Sequence, residues 1–167
     1  MARFQTIVAA LDFSDSAPEA LDAALGLAAA DPAARVHLLH VVASAVPELW
    51  SEDLPPVDLR GVEQARIGHA STQLATLAVS RALDPAGATS AVVMGSAAPE
   101  ILRYAEAHRA DVIVLGSHGH GVVRRFLLGS VADKIVRQAP CAVLIVPHRT
   151  LREAAPAPPA ANSPVLP

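Results

Sequence analysis

The sequence predicts one α/β domain built on an open parallel sheet with helices on both faces. Short apolar runs rich in β-branched residues alternate with helical stretches from residue 6 to residue 146, an order that implies right-handed crossovers between parallel strands. The runs are too continuous for strands with one wet face, so they are expected to be buried on both sides. The composition is 52% hydrophobic but only 3% aromatic. Such a core must be made of Ala, Val, Leu and Ile packed closely between sheet and helices.

Thr6 to Leu11 reads as the first strand and stops at Asp12. Ser16-Ala17-Pro18-Glu19 matches a capping box with proline in the first turn. Leu21, Ala24, Leu25 and Ala28 then fall on one helical stripe. Val36 to Val42 is the second strand. Residues 44–57 carry Pro47, Pro55 and Pro56 among acids and read as a flap longer than an ordinary connection. A long helix over about 58–83 ends at Asp84-Pro85, where proline forbids continuation. Ala91 to Met94 is a short third strand closed by Gly95; Ser96 is placed to cap a helix that turns Ile101, Leu102, Tyr104 and Ala105 inward. Asp111 to Leu115 is the fourth strand, Val131 to Arg137 the last helix, and Cys141 to Val146 the fifth strand beyond Pro140. From His148 the pattern is lost, with five of the 14 prolines in the last 12 residues. The expectation is a domain over 1–147 followed by a disordered Pro/Ala-rich tail over 148–167.

Bulk properties narrow the function. A net charge of −3 offers no basic field and argues against a nucleic-acid partner. No apolar run reaches the length of a membrane span. The apolar run near the N-terminus lacks a cleavage-site pattern and reads as a strand rather than a leader. The single Cys141 rules out an internal disulfide framework and fits a reducing compartment, so a cytoplasmic location is expected.

The chemistry concentrates between Leu115 and Val131. Gly116 and Gly119, then nine residues, then Gly129-Ser130, form a glycine-punctuated connection that starts at the carboxyl end of a strand. In doubly wound sheets ligands bind at such ends. Glycines let backbone amides approach an anion closely, and Ser130 stands where the last helix begins, so the helix dipole favours negative charge there. Ser130-Val131-Ala132-Asp133 also reads as a capping box. A Walker A loop is excluded because it needs a Lys directly before its Ser/Thr, and Gly129, itself after Leu128, precedes Ser130. A dinucleotide fingerprint is excluded because the spacing is G-x-x-G-x-G and follows the fourth strand rather than the first.

With these glycines, the blocks Ile7–Ser14, Leu38–Val42, Gly116–Gly119, Leu127–Val131 and Pro140–Val146 resemble the ATP-binding branch of the universal stress protein family over about residues 3–147. The resemblance implies a Rossmann-like fold with a five-stranded parallel sheet in the order 3-2-1-4-5. It implies an adenine nucleotide, ATP above all, with Mg²⁺ held through the phosphates and not by a protein side-chain cage. Residue by residue it places Asp12 on the adenosine part, with Ala10 beside it where relatives often carry proline. It puts the Val41 backbone on the adenine edge, and Leu115, Gly116, His118 and Gly119 along the ribose and phosphates. Gly129, Ser130 and Val131 fall on the phosphates. It also sets Val143, Leu144, Ile145 and Val146 on the sheet edge, where relatives pair across a twofold axis, so a homodimer is expected.

Each residue also has a plainer reading. Asp12 suits an Asx turn before the first helix. His118 and His120 suit loop hydrogen bonds, and Arg124-Arg125 either a γ-phosphate clamp or a solvated pair. Cys141 suits a small buried hydrophobe, and Trp50 local packing in the flap. The function implied is a nucleotide-dependent stress-response regulator acting through a homodimer on an unknown protein partner. The alternatives are a slow ATPase or nucleotidyl transferase, for which no motif supplies a base, and a nucleotide-free interaction module, which the intact glycines argue against.

Overall fold

A computed structural model describes residues 4–44, 59–83, 87–117 and 128–147 of the chain. In chain order the elements are β1 (Thr6–Ala10), α1 (Ala17–Ala28), β2 (Arg35–Val42), α2 (Leu59–Ser80), β3 (Ala88–Met94), α3 (Ala97–Ala107), β4 (Val112–Gly116), α4 (Ser130–Gln138) and β5 (Ala142–Val146). The strands form one five-stranded sheet in the order β3-β2-β1-β4-β5, and every pairing is parallel. The expected class and strand order are both present. No helix among the described residues is long and apolar enough to cross a membrane.

The two-residue period of the strands divides the core. Ile7, Ala9, Leu38, Val112 and Val114 face α1 and α2, while Val8, Ala10, Leu39, Ile113 and Leu115 face α3 and α4. β1 and β4 occupy the middle, and Ile7, Val8, Ala9, Ile113 and Val114 have no exposed surface. Each large aliphatic side chain buried this way contributes about 1.5–3 kcal/mol. The first turn of the sheet is stapled from β4. The Asp111 carboxylate accepts the backbone N–H of Gln5 at 2.7 Å and of Thr6 at 2.8 Å. At the other end of β3, Gly95 has φ +146°, and a Cβ there would lie 2.8 Å from Glu100 Cγ. Glycine is therefore required at the turn into α3.

Several local expectations need correction. Ser16 is the N-cap of α1 but makes no capping hydrogen bond, because it lies in a helical conformation and its hydroxyl sits 3.1 Å from Ser14 Oγ. Ser96 likewise occupies the N-cap of α3 without a side-chain cap bond. The second capping box is displaced: Gly129 is the N-cap of α4, Ser130 its first residue, and Asp133 pairs with Arg137 at 3.1 Å. β3 begins at Ala88, three residues before the expected Ala91, since Thr89 and Ser90 pair with His37 and Leu38 although their side chains are exposed. Backbone pairing at a sheet edge does not require apolar side chains. Trp50, the flap beyond Ser44, His118 to Leu127, and the tail beyond Pro147 lie outside the described residues.

Near the start of β2 a polar cluster interrupts the core facing α3. His37 Nδ1 is 3.0 Å from Tyr104 Oη, Tyr104 and His108 stack with centroids 3.9 Å apart, and His37 lies 5.1 Å from His108. Burial, and then the neighbouring His108, lower the His37 pKa from its ordinary 6.5. A folded-state pKa below the unfolded one means that the native state binds fewer protons. Stability should therefore fall as pH drops below 6.5 and through the lowered His37 pKa. Urea titrations over that window should show the decline, and His37→Gln should flatten it. An undiminished slope in that variant would assign the effect elsewhere.

Candidate functional site

In the strand order, the chain runs outward from β1 to β2 and β3 on one side and through β4 and β5 on the other. The crevice between the carboxyl ends of β1 and β4 is thus the topological switch point of the sheet. Ala10 ends β1 with Leu39 and Leu115 as its flanking partners, so three of the apolar positions around the crevice are held in register by the sheet ladder.

The turn after β1 is built by short polar side chains. Asp12 Oδ1 accepts the Ser14 N–H at 3.0 Å and the Ser14 Oγ at 2.5 Å, an Asx turn that accounts for Asp12 at the exit of the strand. Phe13 then takes φ +60° and rests its ring 4.3 Å from that of His40. His40 Nδ1 lies 2.7 Å from the Leu11 carbonyl; a carbonyl only accepts, so Nδ1 donates its N–H. The imidazole fixes the strand exit from the neighbouring β2. Its only sequence signal was its being one of two histidines within the apolar run 36–42.

β4 leaves the sheet through Gly116, which pairs with Val146. The buried Ser117 donates its N–H to the Val146 carbonyl at 2.9 Å. Its own carbonyl accepts the Gly129 N–H, also at 2.9 Å. This bond anchors the first turn of α4 directly at the end of β4. Gly129 is extended, with φ −59° and ψ 154°, and its carbonyl accepts the Asp133 N–H to open the helix. The amides of Ser130, Val131 and Ala132 then belong to the first turn, where no intrahelical acceptor exists. They carry the positive end of the helix dipole. Ala132 and Ile135, 3% and 0% exposed, seat the helix on the sheet, while Ser130 itself is exposed. Ser117 was missed in the sequence because a buried serine beside glycines looks like any loop residue.

Val41 pairs with Val93 in β3 and borders a groove of about 560 Å³ between the end of β2 and α2. His40, Ala43, Arg66, His69 and Gln73 share that lining. The volume is within the range of small-molecule sites, about 300–1,000 Å³. The structure thus brings Ala10, Asp12, Leu115, Gly116, Gly129, Ser130 and Val131 to one end of the sheet, with Val41 beside them on β2. His118 and Gly119 fall outside the described residues. Cys141 is half-buried, and burial first, with Asp111 second, pushes its thiol pKa upward, so it stays protonated.

The universal stress protein family model matches residues 3–147. The chain is 35% identical over 144 residues to a universal stress protein of Thermus aquaticus, covering 86% of this chain and 98% of that one. A universal stress protein of Lactobacillus plantarum shares the fold with a TM-score of 0.73 and 26% identity, covering 87% of this chain and 99% of the other. A further universal stress protein, solved in complex with cAMP, superposes with a TM-score of 0.58 at 24% identity over 88% of this chain and 99% of its own. On its family match, its sheet order and its close relatives, this chain is a member of the universal stress protein family, of the UspA-like kind.

Proposed function

We propose that the chain binds an adenine nucleotide, ATP with Mg²⁺ on its phosphates, at the carboxyl end of β1 and β4. The observation that carries this reading is the bond from the Gly129 N–H to the Ser117 carbonyl at 2.9 Å. It sets the amide-rich tip of α4 at the switch point, where an anionic group gains both hydrogen bonds and the helix dipole. In this reading Gly129, Ser130 and Val131 hold the phosphates, with Gly116, His118 and Gly119 completing the loop around them. Asp12 meets the ribose side, and Ala10 and Leu115 form the floor. The adenine edge faces the Val41 backbone at the mouth of the 560 Å³ groove. The neighbour solved with cAMP shares the architecture; the ligand assignment here rests on this chain's own residues.

The same reading makes the protein a nucleotide-dependent regulator in the cytoplasm, acting as a homodimer on a regulatory protein partner. β5 lies at the sheet edge, and Val143, Leu144, Ile145 and Val146 are only half-buried there. This supports pairing with a second copy. Binding changes what such a dimer presents only if the nucleotide prefers one of two conformations.

The test is calorimetry of the purified, nucleotide-stripped chain with Mg·ATP, Mg·ADP and AMP, together with mass spectrometry of whatever co-purifies. Saturable heat at one equivalent per chain is expected, with turnover far below the ~1–10³ s⁻¹ of ordinary enzymes. No heat with any of the three and an empty preparation would remove the reading.

A further inference from the structure

The His37–Tyr104–His108 cluster lies toward the amino end of β2, before the strand ends that form the crevice. His37 is the third residue of β2 and pairs with Val8 and Thr89, whereas the crevice lies at the carboxyl ends. We propose that His37 and His108 form a bidentate site for a borderline divalent ion of the Zn²⁺, Ni²⁺ or Cu²⁺ class, with Tyr104 orienting both imidazoles. This is independent of the nucleotide reading.

The hydrogen bonds assign the nitrogens. His108 Nδ1 lies 2.8 Å from the Tyr104 carbonyl. A carbonyl only accepts, so Nδ1 carries the proton and Nε2 is the nitrogen left for a metal. His37 Nδ1 is held 3.0 Å from Tyr104 Oη, which leaves Nε2 as its nitrogen not engaged by Tyr104. Imidazoles that bind metals commonly show this pattern, one nitrogen on the ion and the other fixed by a backbone carbonyl or polar group.

The spacing agrees. The two ring centroids are 5.1 Å apart with planes at 61°. With metal–nitrogen bonds of about 2.0–2.1 Å, two imidazoles on one tetrahedral ion place their centroids about 5 Å apart. Access agrees as well, since His108 is exposed. Tyr104 holds one nitrogen of each imidazole, through its Oη to His37 and its carbonyl to His108, so it acts as a positioning residue rather than a ligand. No third His, Cys, Asp or Glu joins the pair among the described residues. Water completes the coordination sphere of such a bidentate site.

The chain has seven histidines, so the experiment must report on these two. Zn²⁺ is titrated into the full chain at pH 7.5, followed by imidazole-nitrogen NMR and by calorimetry. At one equivalent, the Nε2 signals of His37 and His108 should move together. His108→Gln, at an exposed position, should abolish the His37 response and lower the affinity at least about tenfold, and Tyr104→Phe should lower it about tenfold, with the circular dichroism of both variants unchanged. If Zn²⁺ leaves both Nε2 signals in place, or if His108→Gln binds Zn²⁺ as tightly as the parent, the proposal is overturned.

Discussion

Gly129→Asp should weaken Mg·ATP binding about 30- to 1,000-fold while leaving the fold at least as stable as the parent. Gly129 is the N-cap of α4, extended at φ −59° and ψ 154°, a conformation open to any residue. Aspartate is among the preferred N-caps and exceeds glycine there by a few tenths of a kcal/mol. The same carboxylate would occupy the helix tip proposed to receive the phosphates. Two unit charges about 4 Å apart at an effective dielectric near 20 repel by ~4 kcal/mol. Allowing for half of that to be screened at an exposed tip, the affinity should fall about 30- to 1,000-fold. Thermal melts and calorimetry on the same preparation separate the two effects. A variant that melts normally and binds Mg·ATP within about threefold of the parent would show that the tip of α4 does not receive the phosphates.

Ile135→Ala should be the most destabilising single change near the site. Ile135 is fully buried, and α4 has nine residues of which only Ala132 and Ile135 are buried. A helix this short does not stand alone in water, so its order depends on that contact. Truncating a buried isoleucine costs about 2–5 kcal/mol, which corresponds to a Tm lower by roughly 5–15 °C. Nucleotide affinity should drop in parallel, since the tip amides are ordered through the same helix. Val136→Ala, on the 49% exposed neighbour, should stay within about 0.5 kcal/mol of the parent. Equal melting of the two variants would mean that Ile135 does not anchor the helix.

The strands were legible because burial on both faces writes itself into continuous apolar runs such as Val112–Leu115. The parallel pairing followed from the alternation, the strand order from the family resemblance, and the glycine spacing pointed to the end of β4. The caps were misread because a motif lists only residue types. Ser16 sits in a helical conformation with its hydroxyl beside Ser14, and Asp133 turned to Arg137, competitions settled by geometry rather than spacing. The start of β3 was missed because Thr89 and Ser90 join the edge by backbone pairing alone. Two features were invisible in principle. Leu11 meets His40 across 29 positions, and His37 meets Tyr104 across 67; no local pattern encodes such partners.

The staple from Asp111 to the amides of residues 5 and 6 also sets a timetable for biogenesis. Thr6 and its acceptor are 105 positions apart, and β1 borders β4 in the middle of the sheet. At about 5–20 residues per second, a ribosome needs roughly 5–20 seconds after making the first strand before its second neighbour exists. During that interval a strand apolar from Ile7 to Ala10 has one flank without its native partner. Loop closure over such a distance makes docking of β4 a late and slow step. Nascent chains stalled before residue 111 should therefore be the species that chaperones capture and that aggregates.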